Sequence, residues 1–385
     1  FTVTLSAVSA KTVTVQYATS DLTATAGSDY TGIGLTTLIF NPGITTRAFD
    51  VTILPDGTDE NEETYNITLS NESNVSISDG TGLGTITDDD NEPSLSINDI
   101  AVAESAGVAQ FTVTLSAFSA KTITVDYATV DITAVAGNEY TGISSTTLTF
   151  NPGVTTQGIN VTILPDTTDE NDKTYNINLS NPTNASIGDG TGLGAITDDD
   201  DPPNISFSSS SSSTVDESAT LNSFNVVLSE ASEKTITIDV TDTGTGSAAS
   251  GTDYDLTNGS PETLTFNPGD TTKSISYTPV VDTEDEDTGE TIIFTLSNET
   301  NAVLVAPSSH IATITDDDGS PIVNFTSASG NGSEDVTLVD IAVQISNTTG
   351  LDVVVDYTVT EGTATGSGTD FTLADGQVTI LAGDT

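Results

Sequence analysis

Three consecutive aspartates close each of three similar phrases in this chain: GTITDDDNEP at 84–93, GAITDDDDPP at 194–203 and IATITDDDGSP at 311–321. Carboxylates set side by side repel, and each raises the pKa of the next. A hard cation relieves that repulsion. Calcium takes about six to eight oxygen ligands from carboxylates, carbonyls and water, whereas magnesium keeps more of its waters and tolerates irregular geometry less well. A softer metal would want nitrogen or sulfur ligands, and the chain holds one histidine and no cysteine. The chemistry on offer is therefore oxygen ligation of a hard cation.

The rest of the composition narrows the classes further. The 385 residues include 57 acidic and 6 basic ones, a formal charge of −51, so nucleic acid and anionic membrane are poor partners. Without cysteine there is no disulfide or thiolate site. A single His310 rules out a multi-histidine site, or a histidine triad repeated in each domain. No run approaches the roughly 20 apolar residues of a membrane span, and no signal peptide is legible. High charge alone would suit disorder, but Val, Ile, Thr and Tyr recur in alternating runs that disorder does not require.

The elements that must position the acids emerge from internal repetition. FTVTLSAVSAKTVTVQYAT from Phe1 returns as FTVTLSAFSAKTITVDYAT from Phe111, and the long phrase from NPGITT returns from NPGVTT at the same offset of 110. A divergent third copy carries GTDYDL, LTFNPGDTT and ITDDD, and a fourth opens at Pro321. The expected domains are 1–92, lacking a first strand, then 93–201 and 202–319, both complete, and 320–385, lacking its last strands. The ends fall inside repeats, so the reading expects a window of a longer array. A repeat of this length can bury its own core.

The second copy predicts strands at 94–97, 108–116, 122–130, 146–151, 158–165, 174–180 and 193–197. Most alternate apolar with polar residues, as half-buried antiparallel strands do, with Gly, Pro, Asn and Asp between them. Seven short strands so spaced predict an all-β, immunoglobulin-like sandwich, repeated in tandem as an extended rod. Counting strands up and down sorts the charge. Glu104, Asp131, Glu139, Asp166, Asp169, Glu170, Asp172 and Asp198–Asp200 fall at one pole, and the loops of the other pole carry only Asp189. A solvated acidic rim explains any one run by itself. Several separate segments converging on one pole, repeat after repeat, point to calcium.

With those residues in view the repeats resemble Calx-beta domains, the module of the cytoplasmic calcium sensors of sodium–calcium exchangers and of many large extracellular proteins. The resemblance spans the chain. It is carried by VDYAT at 125–129, the Gly-x-Asp-Tyr turn, Phe-x-Pro-Gly, the Asp-x-x-x-Glu-x-x-Glu-Thr-Tyr segment at 56–65 and the terminal triplets. It implies a seven-stranded sandwich and calcium as the cofactor. In the first repeat it implies ligands at Asp29, Asp56, Glu60, Glu63, Asp88, Asp89 and Asp90. In the second it implies Glu104, Glu139, Asp166, Glu170, Asp198, Asp199 and Asp200, with Lys173 in place of one glutamate and so set to displace or weaken one cation. In the third the implied set is Glu217, Asp253, Asp282, Glu286, Glu290, Asp316, Asp317 and Asp318, and the fourth retains Glu334 and Asp370.

Tyr30, Tyr140 and Tyr254 follow one of these acids and read as aromatic plugs beneath a loop rather than a sugar platform. The serine run at 208–213 reads as a polar insertion after a strand. The functional expectation is a non-enzymatic, calcium-binding structural or adhesive array. It would form a stalk or filament outside a bacterial cell, its partners being neighbouring repeats, laterally associated chains, or a surface or polysaccharide ligand. The alternative is a calcium sensor whose interdomain angle responds to the ion. Paired carboxylates also imitate a glycosidase, but they sit on polar loops of every repeat with no aromatic cleft.

Overall fold

Alternation decides which side of each strand faces inward. In Val108–Leu115 the residues Ala109, Phe111, Val113 and Leu115 are buried while Val108, Gln110 and Thr112 face out. The computed structural model describes residues 1–212, 214–286, 289–335 and 338–385. They group into two compact units, one of 1–166 with 172–199, the other of 167–171 with 200–385.

In the first unit, the second repeat sets two sheets face to face. One has the order Thr146–Phe150, Ile123–Asp131, Lys173–Thr183, Thr191–Thr197, Ile100–Ala103, and the other Thr156–Thr162, Val108–Leu115, Ser94–Ile97, Ser186–Asp189. One continuous apolar core fills the space between them, with Leu95, Phe111, Val125, Phe150, Tyr175 and Ile177 at its centre. The first repeat keeps a four-stranded sheet, Thr36–Phe40, Val13–Asp21, Glu63–Ser73, Thr81–Ile86, opposite a Thr2–Thr4 and Thr46–Ala48 pair. In the second unit the third repeat forms two five-stranded sheets around Phe207, Phe224, Tyr277 and Phe294. The last repeat contributes two strand pairs, Val323–Phe325 with Val343–Ile345 and Val353–Tyr357 with Gly376–Ile380. The predicted all-β sandwich is the fold observed.

The opening strand of the second repeat is divided, which alternation did not foretell. Ser94–Ile97 pairs antiparallel with Val108–Leu115, and Ile100–Ala103 crosses to the other sheet and pairs parallel with Thr191–Thr197. Asn98 and Asp99 make the crossing. Asn98 Oδ1 accepts the Thr112 amide at 2.6 Å in one sheet, and Asp99 Oδ1 accepts the Leu193 amide at 2.7 Å in the other. The crossover delivers Glu104 to the pole.

The tyrosines are plugs, as expected: Tyr30, Tyr140 and Tyr254 are at most 1% exposed, and their hydroxyls donate to Asp21, Asp131 and Asp242. Asp131, placed with the polar acids by strand counting, is therefore spent on a plug. The serine run does follow a strand, Asn204–Phe207, and is held from within. The buried His310 bonds the Ser209 carbonyl at 2.9 Å and Ser212 Oγ at 3.1 Å. Ser213 lies outside the described residues. The side-chain amides of Asn184 and Asn298 donate to the Thr122 carbonyl and the Asp239 carboxylate.

Candidate metal centre

The first repeat builds its acidic site from three segments. Asp29 sits on a turn where its carboxylate accepts the Thr25 amide at 2.6 Å, which fixes its direction. Glu63 opens the Glu63–Ser73 strand and Glu60 precedes it in the loop. Asp29, Glu60 and Glu63 each bring an oxygen within 4.8 Å of the others. They share an open groove of about 400 Å³ with Asp56 and the triplet Asp88, Asp89 and Asp90. Burial, then a hydrogen bond with Asp29 and the charges around it, pushes the Glu63 carboxyl up to about 7. Burial, then Asp56 and Asp29, raises Glu60 as well. Glu63 Oε2 is buried with no hydrogen-bond partner. A buried acceptor without a donor costs about 1–3 kcal/mol, and a cation supplies what it lacks. The donors are all oxygen, a set that fits calcium.

The third repeat holds two such groups: Asp253 with Glu286 and Glu290, and Glu217 with Asp316 and Asp318. The first repeats the Asp29 design, since Asp253 accepts the Ala249 amide at 2.5 Å. Burial and then the charge of Asp253 drive Glu286 and Glu290 to about 7. In the second group Glu217 is 5% exposed and accepts the Asp282 amide at 2.9 Å. The Asp282 carboxylate turns to the Glu284 amide at 2.8 Å. Asp287 and Thr288 of the same loop lie outside the described residues. Asp317 stands apart because neighbours in extended chain point opposite ways, so the outer two aspartates of the triplet converge and the middle one does not.

The second repeat shows the same scaffold with one substitution. Glu104 is 2% exposed, its Oε1 accepts the Asp166 amide at 2.7 Å, and Asp198 comes within 4.8 Å of it. Asp199 turns aside and accepts Ser105 Oγ. Glu139 accepts the Val135 amide at 2.6 Å, as Asp29 does its own, but its other oxygen meets Lys173 Nζ at 3.0 Å. The ammonium thus stands beside the carboxylate that heads a three-acid group in the first and third repeats. Glu170 and Asp200 belong to the second unit, where Glu170 is 4% exposed. In the last repeat Asp370 accepts the Thr365 amide at 2.7 Å, and Glu334 is exposed.

Sequence reasoning missed what meets the acidic pole. Asp59, 3% exposed, accepts Ser119 Oγ and Lys121 Nζ, both at 2.6 Å, and its carbonyl accepts the Ala120 amide at 3.0 Å. Lys121 Nζ also lies 3.2 Å from Asp88. Burial opposes the Asp88 carboxylate, yet the hydrogen bond and charge of Lys121 hold it below the ordinary range. So a Ser-x-Lys loop of the second repeat clasps the first. Within the second unit Asp169 accepts Ser232 Oγ and Lys234 Nζ, both at 2.7 Å. Thr349 repeats the hydroxyl bond to the Asp285 carbonyl at 2.7 Å, with Leu351 where a lysine would stand. The signal was present in the sequence: of six basic residues, Lys11, Lys121 and Lys234 each close a Ser-x-Lys.

A family model described as "Calx-beta domain" matches residues 1–90, 87–189, 198–318 and 316–385. Sodium/calcium exchanger 1 of Bos taurus is 31% identical over 144 residues, covering 33% of this chain and 14% of that protein. Sodium/calcium exchanger 3 of Mus musculus is 29% identical over 196 residues, covering 45% and 21%. The chain thus spans a minor part of these relatives. Among solved structures, CBD12 from CALX1.2 is 21% identical with a TM-score of 0.29 over 56% of this chain and 83% of that one. The apo-form Calx CBD1 domain is 26% identical with a TM-score of 0.26, over 28% and 99%. With four family matches running nearly end to end, the chain belongs to the Calx-beta domain family, as a tandem array.

Proposed function

We propose that this chain is a non-enzymatic, calcium-binding array of four repeats, bounded at 1–92, 93–201, 202–319 and 320–385. The observation that carries the reading is the recurrent carboxylate group whose glutamates are driven to about 7 at Glu63, Glu286 and Glu290. Asp29, Glu60 and Glu63 would hold a cation in the first repeat. Glu217 with Asp316 and Asp318, and Asp253 with Glu286 and Glu290, would do so in the third. Asp56, Asp88, Asp89 and Asp90 would complete the first site. Glu104 with Asp166 and Asp198 would serve the second, with Glu139 occupied by Lys173. Calcium supplies charge neutralisation that these acids do not give one another. Melting in calcium and in chelator tests it: about 4 kcal/mol of stabilisation accompanies a thousandfold excess over the dissociation constant, and equal midpoints would remove the calcium reading.

The use we favour is structural, a stiffened stalk or filament of an extracellular or cell-surface protein, where millimolar calcium keeps weak sites filled. Two features support it. The clasp at Asp59, Ser119 and Lys121 joins successive repeats directly. The sites are also unequal, because Lys173 occupies one of them. The sodium/calcium exchangers among the relatives favour the second reading, a sensor whose interdomain angle follows calcium. Small-angle scattering during a calcium titration separates the two. A stalk completes its change only toward millimolar calcium and then stays extended. A sensor switches shape in the micromolar range.

A further inference from the structure

The opening strands of the second and third repeats cross between sheets by routes of unequal length. Ile97 and Phe207 hold matching places, opposite Val113 and Val226, and beyond the crossing Val102 and Val215 match opposite Ile196 and Ile314. Residues 98–101 make the first crossing and residues 208–214, the serine run with Thr214, make the second. The reason lies under the chain. Gly192 and His310 stand at the same register, each four residues before the isoleucine just named. A Cβ added at Gly192 would lie 2.8 Å from the Asn98 carbonyl oxygen, so the short crossing admits no side chain there. In the third repeat His310 fills that place and the longer crossing passes over it. Residues 208–211 are exposed, whereas the imidazole beneath is 1% exposed. Its ring lies on Phe224, centroids 4.1 Å apart and planes at 16°, with Phe207 at 5.5 Å.

A carbonyl only accepts, so the 2.9 Å bond between Nδ1 and the Ser209 carbonyl puts the single proton of the neutral ring on Nδ1. Nε2 is then an acceptor, and Ser212 Oγ donates to it at 3.1 Å. We propose that neutral His310 is the peg that holds this serine strap, and that its protonation releases the strap and withdraws Glu217 from the cation group of the third repeat. A second proton turns Nε2 into a donor against a hydroxyl that already donates, and sets a charge between two phenyl rings. Of the side chains packed around it only Tyr277 is titratable, its hydroxyl accepting the Asn222 amide at 2.8 Å; among the described residues no charged group faces the imidazole. Burial accordingly holds the ring below its ordinary range. The strap leads into Val215–Asp216, parallel to Ser309–Thr315, and the next amide, that of Glu217, donates to the Thr315 carbonyl at 2.9 Å. The Glu217 carboxylate joins Asp316 and Asp318. His310 is thus a positioning residue, acting on Glu217 through the strap. The effect on cation binding rests on the calcium reading; the peg does not.

The test uses the whole chain, whose one histidine gives one imidazole signal in NMR. In chelator, protection of the Ser212 and Glu217 amides from exchange, corrected for the intrinsic rate, should fall by up to about tenfold per pH unit below 6.5. The imidazole should titrate over the same interval, below 6.5. Amides of Thr191–Thr197, the matching strand built over glycine, should show no such fall. The acids of the pole act in the opposite sense, because protonating them in chelator relieves their repulsion. His310→Gln, which takes no proton, should abolish the fall. The calcium concentration that half-restores protection at the Glu217 amide should rise, from about pH 7.5 to about pH 5.5, some tenfold more in the parent than in His310→Gln. Strap release without that difference refutes the calcium link and upholds the peg. An imidazole that titrates at 6.5 or above, Ser212 protection that does not fall with acid, or an equal fall in His310→Gln overturns the proposal.

Discussion

Lys173→Glu should change the sign of its effect with calcium. In chelator the substitution removes an ammonium 3.0 Å from Glu139, in a pair whose side chains are 13% and 12% exposed. Breaking a buried pair costs about 3–5 kcal/mol, and partial exposure places this one near the lower figure. The new glutamate would face Glu139 as Glu63 faces Asp29, a position that pushes Glu63 to about 7. In saturating calcium Glu139 and the new glutamate would gain a cation, about 4 kcal/mol at a thousandfold excess. The variant should therefore be about 3 kcal/mol less stable than the parent in chelator, and about 1 kcal/mol more stable in calcium. Melting of a multidomain chain is not one transition, so the readout is amide exchange in the Lys173–Thr183 strand, which reports local opening. Calorimetry should count one more calcium per chain. Lys173→Gln, which loses the pair and gains no ligand charge, should be destabilised in both solutions. A Lys173→Glu variant with unchanged exchange in chelator and no added calcium would refute the claim that the lysine replaces a cation.

Three further outcomes follow from named groups. Glu63, Glu286 and Glu290 have folded-state values of about 7, above the unfolded 4.5; the stability they add in chelator is whole below pH 4.5 and lost as pH rises through 7. Calcium affinity should rise over the same interval, and a pH-independent affinity from 5 to 8 in calorimetry would contradict the assignment. Burial holds the His310 imidazole below its usual 6.5, so the third repeat should lose stability as pH falls below 6.5, and in His310→Phe that acid-side loss should flatten in exchange of the Ser309–Thr315 strand. Lys121→Met should leave Asp59, 3% exposed, without its cation. It should cost about 3 kcal/mol, with faster exchange of the Ala120 amide; unaltered exchange would show that the clasp contributes nothing.

Much of this was legible because alternation is a local property. Phe111, Val113 and Leu115 declare an inward face without knowledge of their partners, and the repeat offset of 110 carries each strand to its copy. The convergence of Asp29, Glu60 and Glu63 could be foreseen from strand parity and the family resemblance. What could not be read depends on distant partners. The division of the opening strand turns on Asn98 and Asp99 bonding Thr112 and Leu193, one in each sheet. Ser186–Asp189 becomes a strand because Ser94–Ile97 lies beside it. Asp199 and Asp317 were grouped with their neighbours because a triplet in one-letter code hides the two-residue period that turns the middle side chain away. The clasp was overlooked for a related reason: Asp59 counts as one more acid until Ser119 and Lys121 are seen against it.

The parallel pairing of Ile100–Ala103 with Thr191–Thr197 bears on how a repeat would meet tension. These are an early and a late strand of the same repeat, running side by side in the same direction through four residue pairs, Gly194 with Ile100 to Thr197 with Ala103. If the two chain ends of the repeat are pulled apart, the strands are drawn past each other lengthwise. Their hydrogen bonds are then loaded together in shear, and none can be peeled before the next. Among the described residues the third repeat makes the same kind of parallel contact at Ser211 with Ile311, Val215 with Ile314 and Asp216 with Thr315. A steadily rising pull on either repeat should therefore meet its main resistance at this parallel contact.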